Sequence, residues 1–406
     1  MSSSTSLPST AVGGPPAATS GPRHPWAAVL ALAAATFSVV TTEMLPVGLL
    51  PSLGAELDVS AGVAGLALTL PGLVAAVAAP LLPVALARAD RRTVLCGLLL
   101  LLAAADLLSA LAPHFAVLLL ARALVGVCIG GVWAVAAGLG PRLVPGAAAR
   151  ATSLVFSGIA VASVLGVPAG TFLGALAGWR WAFAALTGLA LAVAGGLAVA
   201  LPPLPAERPV RLGTFPALLR TAPVARGLIA VALLVTGHFA AYTYVRPVLE
   251  RVPDTGPALV SALLLGYGLA GVAGTFAGGA LAARHPRRAL TAIAAGLGTV
   301  VALLALAGGS LPATAALLLL WGLVYGGVSV SAQTWLSAAA PRSREAASAL
   351  FAGVFNAAIG LGAFLGGRVA DGPGPTAVLL LGAGVALLAV PAAGRAKGAV
   401  TATRSR

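Results

Sequence analysis

Three charged side chains stand inside long apolar runs of this chain: Glu43, Asp106 and Arg122. A charge near the centre of a bilayer costs roughly 2.5–3.5 kcal/mol on insertion scales, so such residues are functional candidates by default. The chemistry open to them is reversible proton binding. A carboxylic acid holds its proton more firmly when buried and gives it up beside a guanidinium, so an acid whose surroundings alternate can load and release a proton. Glu43 is the expected proton-coupling acid and Arg122 its modulator, the alternative being a permanent ion pair between them. Asp106 and Arg122 lie at comparable depth on neighbouring runs joined by the short turn near Ala112 to His114. A fixed Asp106–Arg122 pair is therefore the simpler reading of Asp106, because intramembrane charges pair.

A second, uncharged set could contact a ligand. His238 lies mid-run, and its neutral imidazole can hydrogen-bond a substrate or titrate near neutral pH. Tyr242, one helical turn on, shares its face, whereas Tyr244 points elsewhere. Gln333, Asn356 and Trp133 add hydrogen-bonding or aromatic surface to a midplane cavity. Each alone is as well explained by a satisfied structural role; His238, Tyr242 and Asn356 together form the better binding set. So little charge suits neutral or weakly polar molecules, including sugars and hydrophobic antibiotics. No phosphate-binding Gly-x-x-x-x-Gly-Lys-Ser/Thr loop, His-Glu-x-x-His site or Cys/His cluster is present, so no ATPase, no metal site and no cofactor are expected. The chain is not expected to be an enzyme.

What positions these residues is legible in the composition. Only 8% of 406 residues are charged against about 25% in soluble domains, too few to cover a water-facing surface. Apolar stretches of the roughly 20 residues that cross a bilayer fall at 26–50, 61–86, 93–112, 115–139, 151–177, 181–202, 227–249, 257–283, 289–309, 312–339, 346–370 and 375–393. We number these spans 1 to 12. In lipid they must be helices, since no water satisfies their backbone groups. The predicted fold class is an all-α, twelve-helix membrane protein.

Residues 1–24, rich in Ser, Thr, Pro and Gly, read as a disordered cytoplasmic tail. Residues 203–226 read as a cytoplasmic linker and 394–406 as a second tail. The bundles between them are expected at 25–202 and 227–393. With both termini cytoplasmic, nineteen of the 24 basic residues fall on the inner side, as the positive-inside rule demands. Arg180, Arg246, Arg251 and Arg368 fall near the other face. The net charge of +14 thus sets topology rather than marking a nucleic-acid partner. The expected partners are a small-molecule substrate, protons and the lipid bilayer, for a monomer in a bacterial inner membrane. The bacterial source is suggested by the Arg-over-Lys, Ala-rich usage.

The spans repeat. Arg88, Arg91 and Arg92 recur 196 residues later as Arg284, Arg287 and Arg288. Leu124, Gly126, Gly130, Gly131 and Val132 of span 4 recur at the same offset as Leu320, Gly322, Gly326, Gly327 and Val328 of span 10. Ser153, Phe156 and Gly158 recur at offset 195 as Ser348, Phe351 and Gly353, and Thr42, Pro46 and Val47 at offset 201 as Thr243, Pro247 and Val248. Four ordered matches at nearly one offset define two parallel six-helix repeats.

These residues resemble the major facilitator superfamily, in particular its twelve-helix drug:proton antiporter branch and the bacterial sugar-efflux exporters. Thr-Thr-Glu-Met-Leu-Pro-Val-Gly-Leu-Leu at 41–50 is similar to the branch's first helix, Gly-His-Phe-Ala-Ala-Tyr-Thr-Tyr-Val-Arg-Pro at 237–247 to its seventh and Phe-Asn-Ala-Ala-Ile-Gly-Leu-Gly-Ala at 355–363 to its eleventh. Asp90, Arg91 and Arg92 match the charged part of the superfamily's loop after helix 2, without its two glycines. Arg122 and Gly126 match its fourth-helix motif. Gly158, Gly166, Pro168, Gly170 and Gly174 match the antiporter motif of helix 5 loosely, with Val167 between Gly and Pro. The resemblance implies alternating access of two rocking halves, with Asp90, Arg91, Arg92, Gly166, Pro168 and Gly170 in conformational gating. It further implies export in exchange for protons, with proton-driven or facilitated uptake the rival.

Overall fold

The computed structural model describes residues 25–86, 88–205, 213–253, 255–307, 309–341 and 343–394. The expected tail 1–24, residues 395–406 of the other tail and residues 206–212 of the linker lie outside them. Among the described residues all regular structure is helical. Twelve helices are long and apolar enough to cross a membrane: Pro25–Gly48, Ala61–Leu82, Arg91–Ala110, Phe115–Trp133, Ser157–Ala177, Trp179–Ala200, Ala222–Tyr242, Pro257–Arg284, Pro286–Leu306, Leu311–Ala339, Ala346–Ala370 and Pro375–Ala393. They follow the twelve expected spans, with most ends shifted by a few residues. The clearest differences lie around the linker. A short helix, Thr214–Leu219, forms there, and span 7 begins at Ala222, with Pro223 in its first turn. Phe215 and Leu218 of the short helix are buried in the core of the second half, which the polar composition of the linker concealed.

Several spans are broken where sequence chemistry requires it. Span 1 is α-helical to Met44 and tightens to a 3₁₀ turn at Leu45–Gly48, where Pro46 sits. Span 7 stops at Tyr242 and resumes as Val245–Leu249 around Pro247. The repeated Thr-x-x-x-Pro-Val motif is thus a repeated helix break, because proline removes the N–H that would close the turn. Span 5 carries a π segment at Ala162–Gly166 just before Pro168. Span 10 is interrupted at Gly327, between Leu311–Gly326 and Val328–Ala339.

The glycine repeat is a packing repeat. A Cβ on Gly126 would lie 2.6 Å from the Pro71 carbonyl, and one on Gly130 2.7 Å from the Ala79 amide, so span 4 rides directly on span 2. At the equivalent places in the second half, Gly322 and Gly326 press span 10 onto the span 8 backbone at Tyr267 and Gly271. Small residues let helix backbones approach in lipid, where packing rather than water drives association. One core gathers residues from Ala28 to Leu201, and another gathers residues from Phe215 to Ala393 together with Val47 and Leu68 of the first half.

The two halves close on each other at the end that carries only Arg180, Arg246, Arg251 and Arg368. There Leu50 and Ala64 of the first half share a cluster with Tyr244 and Val378 of the second. Span 2 meets span 11 glycine to glycine: a Cβ on Gly72 would lie 2.7 Å from the Asn356 carbonyl and 2.8 Å from the Gly360 amide. Asp371 accepts hydrogen bonds from Ser60 Oγ and the Gly62 amide, each 2.7 Å. Arg246 donates to the Gly48 carbonyl across the same seam. Span 8 lies along the later part of span 5, from Ala162 to Ala177, far more than along its start. The seam is therefore tightest at the arginine-poor end.

Candidate functional site

Prolines in the first half free backbone acceptors that a single guanidinium collects. Pro46 cannot donate to the carbonyl four residues earlier, Thr42, and Pro71 cannot donate to that of Ala67. Arg122 fills both vacancies: Nε donates to the Ala67 carbonyl at 3.0 Å, and one Nη donates to the carbonyls of Thr42 at 2.9 Å and Glu43 at 3.2 Å. The planar fork of an arginine suits this, carrying five N–H donors and no acceptor. Phe183 lies 5.8 Å below the guanidinium carbon. Arg122 is wholly buried, as is Asp106, and Glu43 nearly so.

This arrangement changes the expected pairings. Among the described residues no ion pair within 4 Å joins Arg122 to Glu43 or Asp106. The backbone carbonyls have taken most of the guanidinium, leaving one Nη without a partner. Asp106 instead accepts from Thr42 Oγ1 at 2.9 Å. Its other oxygen and Glu43 Oε1 are buried and unpartnered. Both acids remain within Coulomb reach of Arg122. The site thus holds two carboxyl groups near a cation that is anchored elsewhere.

In the second half the aromatic residues form a column. His238 stacks on Tyr325 with ring centroids 3.4 Å apart and on Tyr242 at 5.1 Å, and Tyr242 stacks on Tyr267 at 4.9 Å. Trp321 stands edge-on to His238, Tyr242 and Tyr267, and its Nε1–H donates to His238 Nδ1 at 3.0 Å. Spans 7, 8 and 10 supply these rings. His238 and Tyr242 are one turn apart on span 7, and Trp321 and Tyr325 one turn apart on span 10. Tyr325 is the half-buried member of the column and lies within Coulomb reach of Glu43.

Residues 32–256 and 252–399 match the sequence profile of the Major Facilitator Superfamily. The chain belongs to this superfamily. In Pseudomonas aeruginosa a relative named transcription regulatory protein OpdE is 35% identical over 369 residues, covering 90% of this chain and 92% of its own length. A purine ribonucleoside efflux pump, NepI, of Salmonella paratyphi A is 33% identical over 371 residues, with 90% and 92% covered. Among solved structures, the human organic anion transporter MFSD10 (TETRAN) superposes with a TM-score of 0.69 at 19% identity, over 91% of this chain and 99% of that one. A bacterial homologue of the human lysosomal transporter Spinster, inward-facing and occupied, gives 0.72 at 17% identity, over 91% and 96%. These structural likenesses are of fold. The protein is a multi-pass membrane transporter of the Major Facilitator Superfamily.

Within the superfamily fold, the expected gating residues sit as follows. Asp90 caps span 3, accepting from the amides of Arg92 at 2.9 Å and Thr93 at 3.2 Å. Arg91 donates through its side chain to Leu86 and through its amide to Leu204, and Arg92 reaches the Ala198 carbonyl. Leu86 and Ala198 belong to the first half, and Leu204 to the segment that leaves it. On span 5, Gly166 faces Thr41 and Gly170 faces Leu45, so this stretch, with Pro168 between them, lies directly on span 1.

The remaining expected ligand contacts are spread apart. Trp133 lines a small pocket in the first half with Thr36, Val39 and Val155. Gln333 bonds Ser348 at 3.3 Å, and Asn356 donates to Ala352 of its own helix at 2.8 Å beside the seam with span 2. Neither belongs to the column. Tyr244 turns away from it and donates to the Ala363 carbonyl at 3.0 Å. Trp321, Tyr325 and Tyr267 were missed in the sequence. Their signal was the one-turn spacing of Trp321 and Tyr325 interleaved with the repeated glycines Gly322 and Gly326. The prolines were missed as well, although a proline inside a span always leaves an acceptor for some other donor.

Proposed function

We propose that this transporter exports a small, flat, uncharged molecule of the nucleoside class in exchange for protons. The observation that carries the proposal is the pair of buried carboxyl groups, Glu43 and Asp106, each with an oxygen lacking any partner while the nearby Arg122 is held by backbone carbonyls. Such acids gain most from binding a proton when buried and from losing it once water reaches them. Glu43, with its buried unpartnered oxygen, is the coupling acid in this reading, and Asp106 with Arg122 sets its surroundings. The pump reading draws on the relative named as a purine ribonucleoside efflux pump, and on the resemblance of spans 1, 5, 7 and 11 to drug:proton antiporters and sugar exporters. A ribonucleoside unites a sugar with a flat, uncharged ring, which a nearly uncharged site suits.

The arginine-rich end is assigned to the cytoplasm of a bacterial inner membrane by the positive-inside rule. With the arginine-poor end sealed, the conformation is then inward-facing, ready to accept substrate from the cell. The two six-helix bundles rock about the central site in this reading. Binding of either ligand shifts this equilibrium only by its differential affinity for the two orientations. The test is proton release from inside-out vesicles challenged with nucleosides, sugars and antibiotics. Nucleoside-dependent release that vanishes with Glu43→Gln is expected. Concentrative transport by Glu43→Gln with unchanged proton exchange would remove Glu43 from coupling, and transport insensitive to an uncoupler would refute proton exchange itself.

A further inference from the structure

The hydrogen bond between Trp321 and His238 fixes more than a ring orientation. An indole nitrogen can only donate, so His238 Nδ1 must be the acceptor. The proton of the neutral imidazole then sits on Nε2. That Nε2 is buried and has no partner, although buried polar groups are almost always satisfied. Aromatic rings border the imidazole: Tyr325 and Tyr242 above and below, Phe239 and Trp321 at the side. A donor without an acceptor, enclosed by aromatic rings, is a vacancy for a flat ligand bearing an in-plane acceptor.

Access follows from the helix break. Tyr325 is half-buried and precedes the interruption of span 10 at Gly327 by two residues. Discontinuous helices at mid-depth mark the place where transporters bind substrate. That break and the partial exposure of Tyr325 are where a ligand entering between the halves would reach the edge of His238.

We propose that His238, held as its Nε2–H tautomer by Trp321, is the donor that selects a nucleobase through one of its ring nitrogens, and that Trp321 is the positioning residue for that donor. This rests on the export reading above, but the tautomer itself does not. Histidine-labelled full-length protein in detergent gives nitrogen resonances for four histidines, and the signal lost in His238→Gln identifies His238. A proton on Nε2 in the wild type, and a mixture of tautomers in Trp321→Phe, is expected. A proton on Nδ1 in the wild type overturns the proposal whatever the protein transports.

The binding arm compares adenosine with its 1-deaza, 3-deaza and 7-deaza analogues. One analogue should bind about tenfold more weakly than adenosine, the worth of a single hydrogen bond. The gap should survive in His238→Gln, whose amide nitrogen stands where Nε2 stood, narrow in Trp321→Phe and close in His238→Phe. Equal affinity for all four ligands in the wild type refutes the donor role and leaves export untouched. Export of another solute without binding of any purine nucleoside refutes the nucleobase assignment and leaves the exporter standing. Absence of vectorial transport of every solute in the panel refutes the export reading as well.

Discussion

Arg122 as a substitute for the missing N–H groups of two prolines makes a prediction that an ion-pair role would not. Replacing Arg122 by Met keeps much of the apolar stem and removes three hydrogen bonds, to Ala67, Thr42 and Glu43. Hydrogen bonds between membrane helices are worth about 0.6 kcal/mol on average and up to about 1.7. The loss should therefore be about 2–5 kcal/mol. Two of the three carbonyls are orphaned because residues 46 and 71 are proline. In the Arg122→Met background, Pro46→Ala and Pro71→Ala return an N–H to each, and together should recover about 1–3 kcal/mol. In the wild-type background the same two changes should be neutral or harmful, since the new N–H groups compete with the guanidinium and straighten spans 1 and 2. The measurement is a double-mutant cycle by reversible denaturation in mixed micelles, with each corner fitted for unfolding free energy. If the proline changes have the same effect with and without Arg122, Arg122 is not compensating for them.

The seam between the halves yields two further expectations, and the repeat a third. Asp371→Asn removes the charge that accepts from Ser60 and Gly62; discounted for solvent at this edge, that is about 1–2 kcal/mol. The population open at that end should rise roughly 5- to 30-fold, read by electron-spin distances between spans 2 and 11; an unchanged distribution would show that Asp371 closes nothing. Gly72→Val places a side chain within 2.7–2.8 Å of span 11 backbone, so the seam cannot close; transport should fall to background with folding retained, and normal transport would contradict the packing. Leu318→Arg, the repeat equivalent of Arg122, enters a fully buried apolar site; the protein should fail to accumulate, and wild-type yield would argue against that burial.

Span number, order and the parallel repeat were legible because lipid imposes a length and polarity rule on every segment. The isolated charges Glu43, Asp106 and Arg122 were legible for the same reason. Their partners were not. Composition says that a buried arginine needs acceptors, and Asp106 on the adjacent span was the obvious one. The acceptors used are backbone carbonyls, which carry no letter in a sequence and are revealed only by the prolines four residues downstream. The column was half legible: His238 and Tyr242 share a face of span 7, but Tyr267, Trp321 and Tyr325 reach them only once Gly322 and Gly326 bring span 10 against span 8. Asn356 looked like a ligand residue because it is polar within a span, yet its amide bonds its own helix, an outlet that short polar side chains have wherever a carbonyl lies four residues back.

The repeat also shows how one architecture came to hold two kinds of chemistry. At the offsets of the motifs, Arg122 and Asp106 correspond to Leu318 and Ala302, and Glu43 to Tyr244. In the other direction His238, Tyr242, Trp321 and Tyr325 correspond to Phe37, Thr41, Val125 and Ile129, and Tyr267 to Pro71. The buried acids and the guanidinium thus lie in the first half, and the aromatic column in the second. A proton taken up in one half can influence a ligand held in the other only across the seam. Glu43 of the first half and Tyr325 of the second lie within Coulomb reach of each other. Spans 1 and 10 are both interrupted beside these residues, at Leu45 and Gly327, so in the proposed mechanism a change in charge at Glu43 acts on helices that are already broken there. Coupling between proton and substrate then needs no chain of intermediaries, only a shift in which pairing of the halves each ligand prefers.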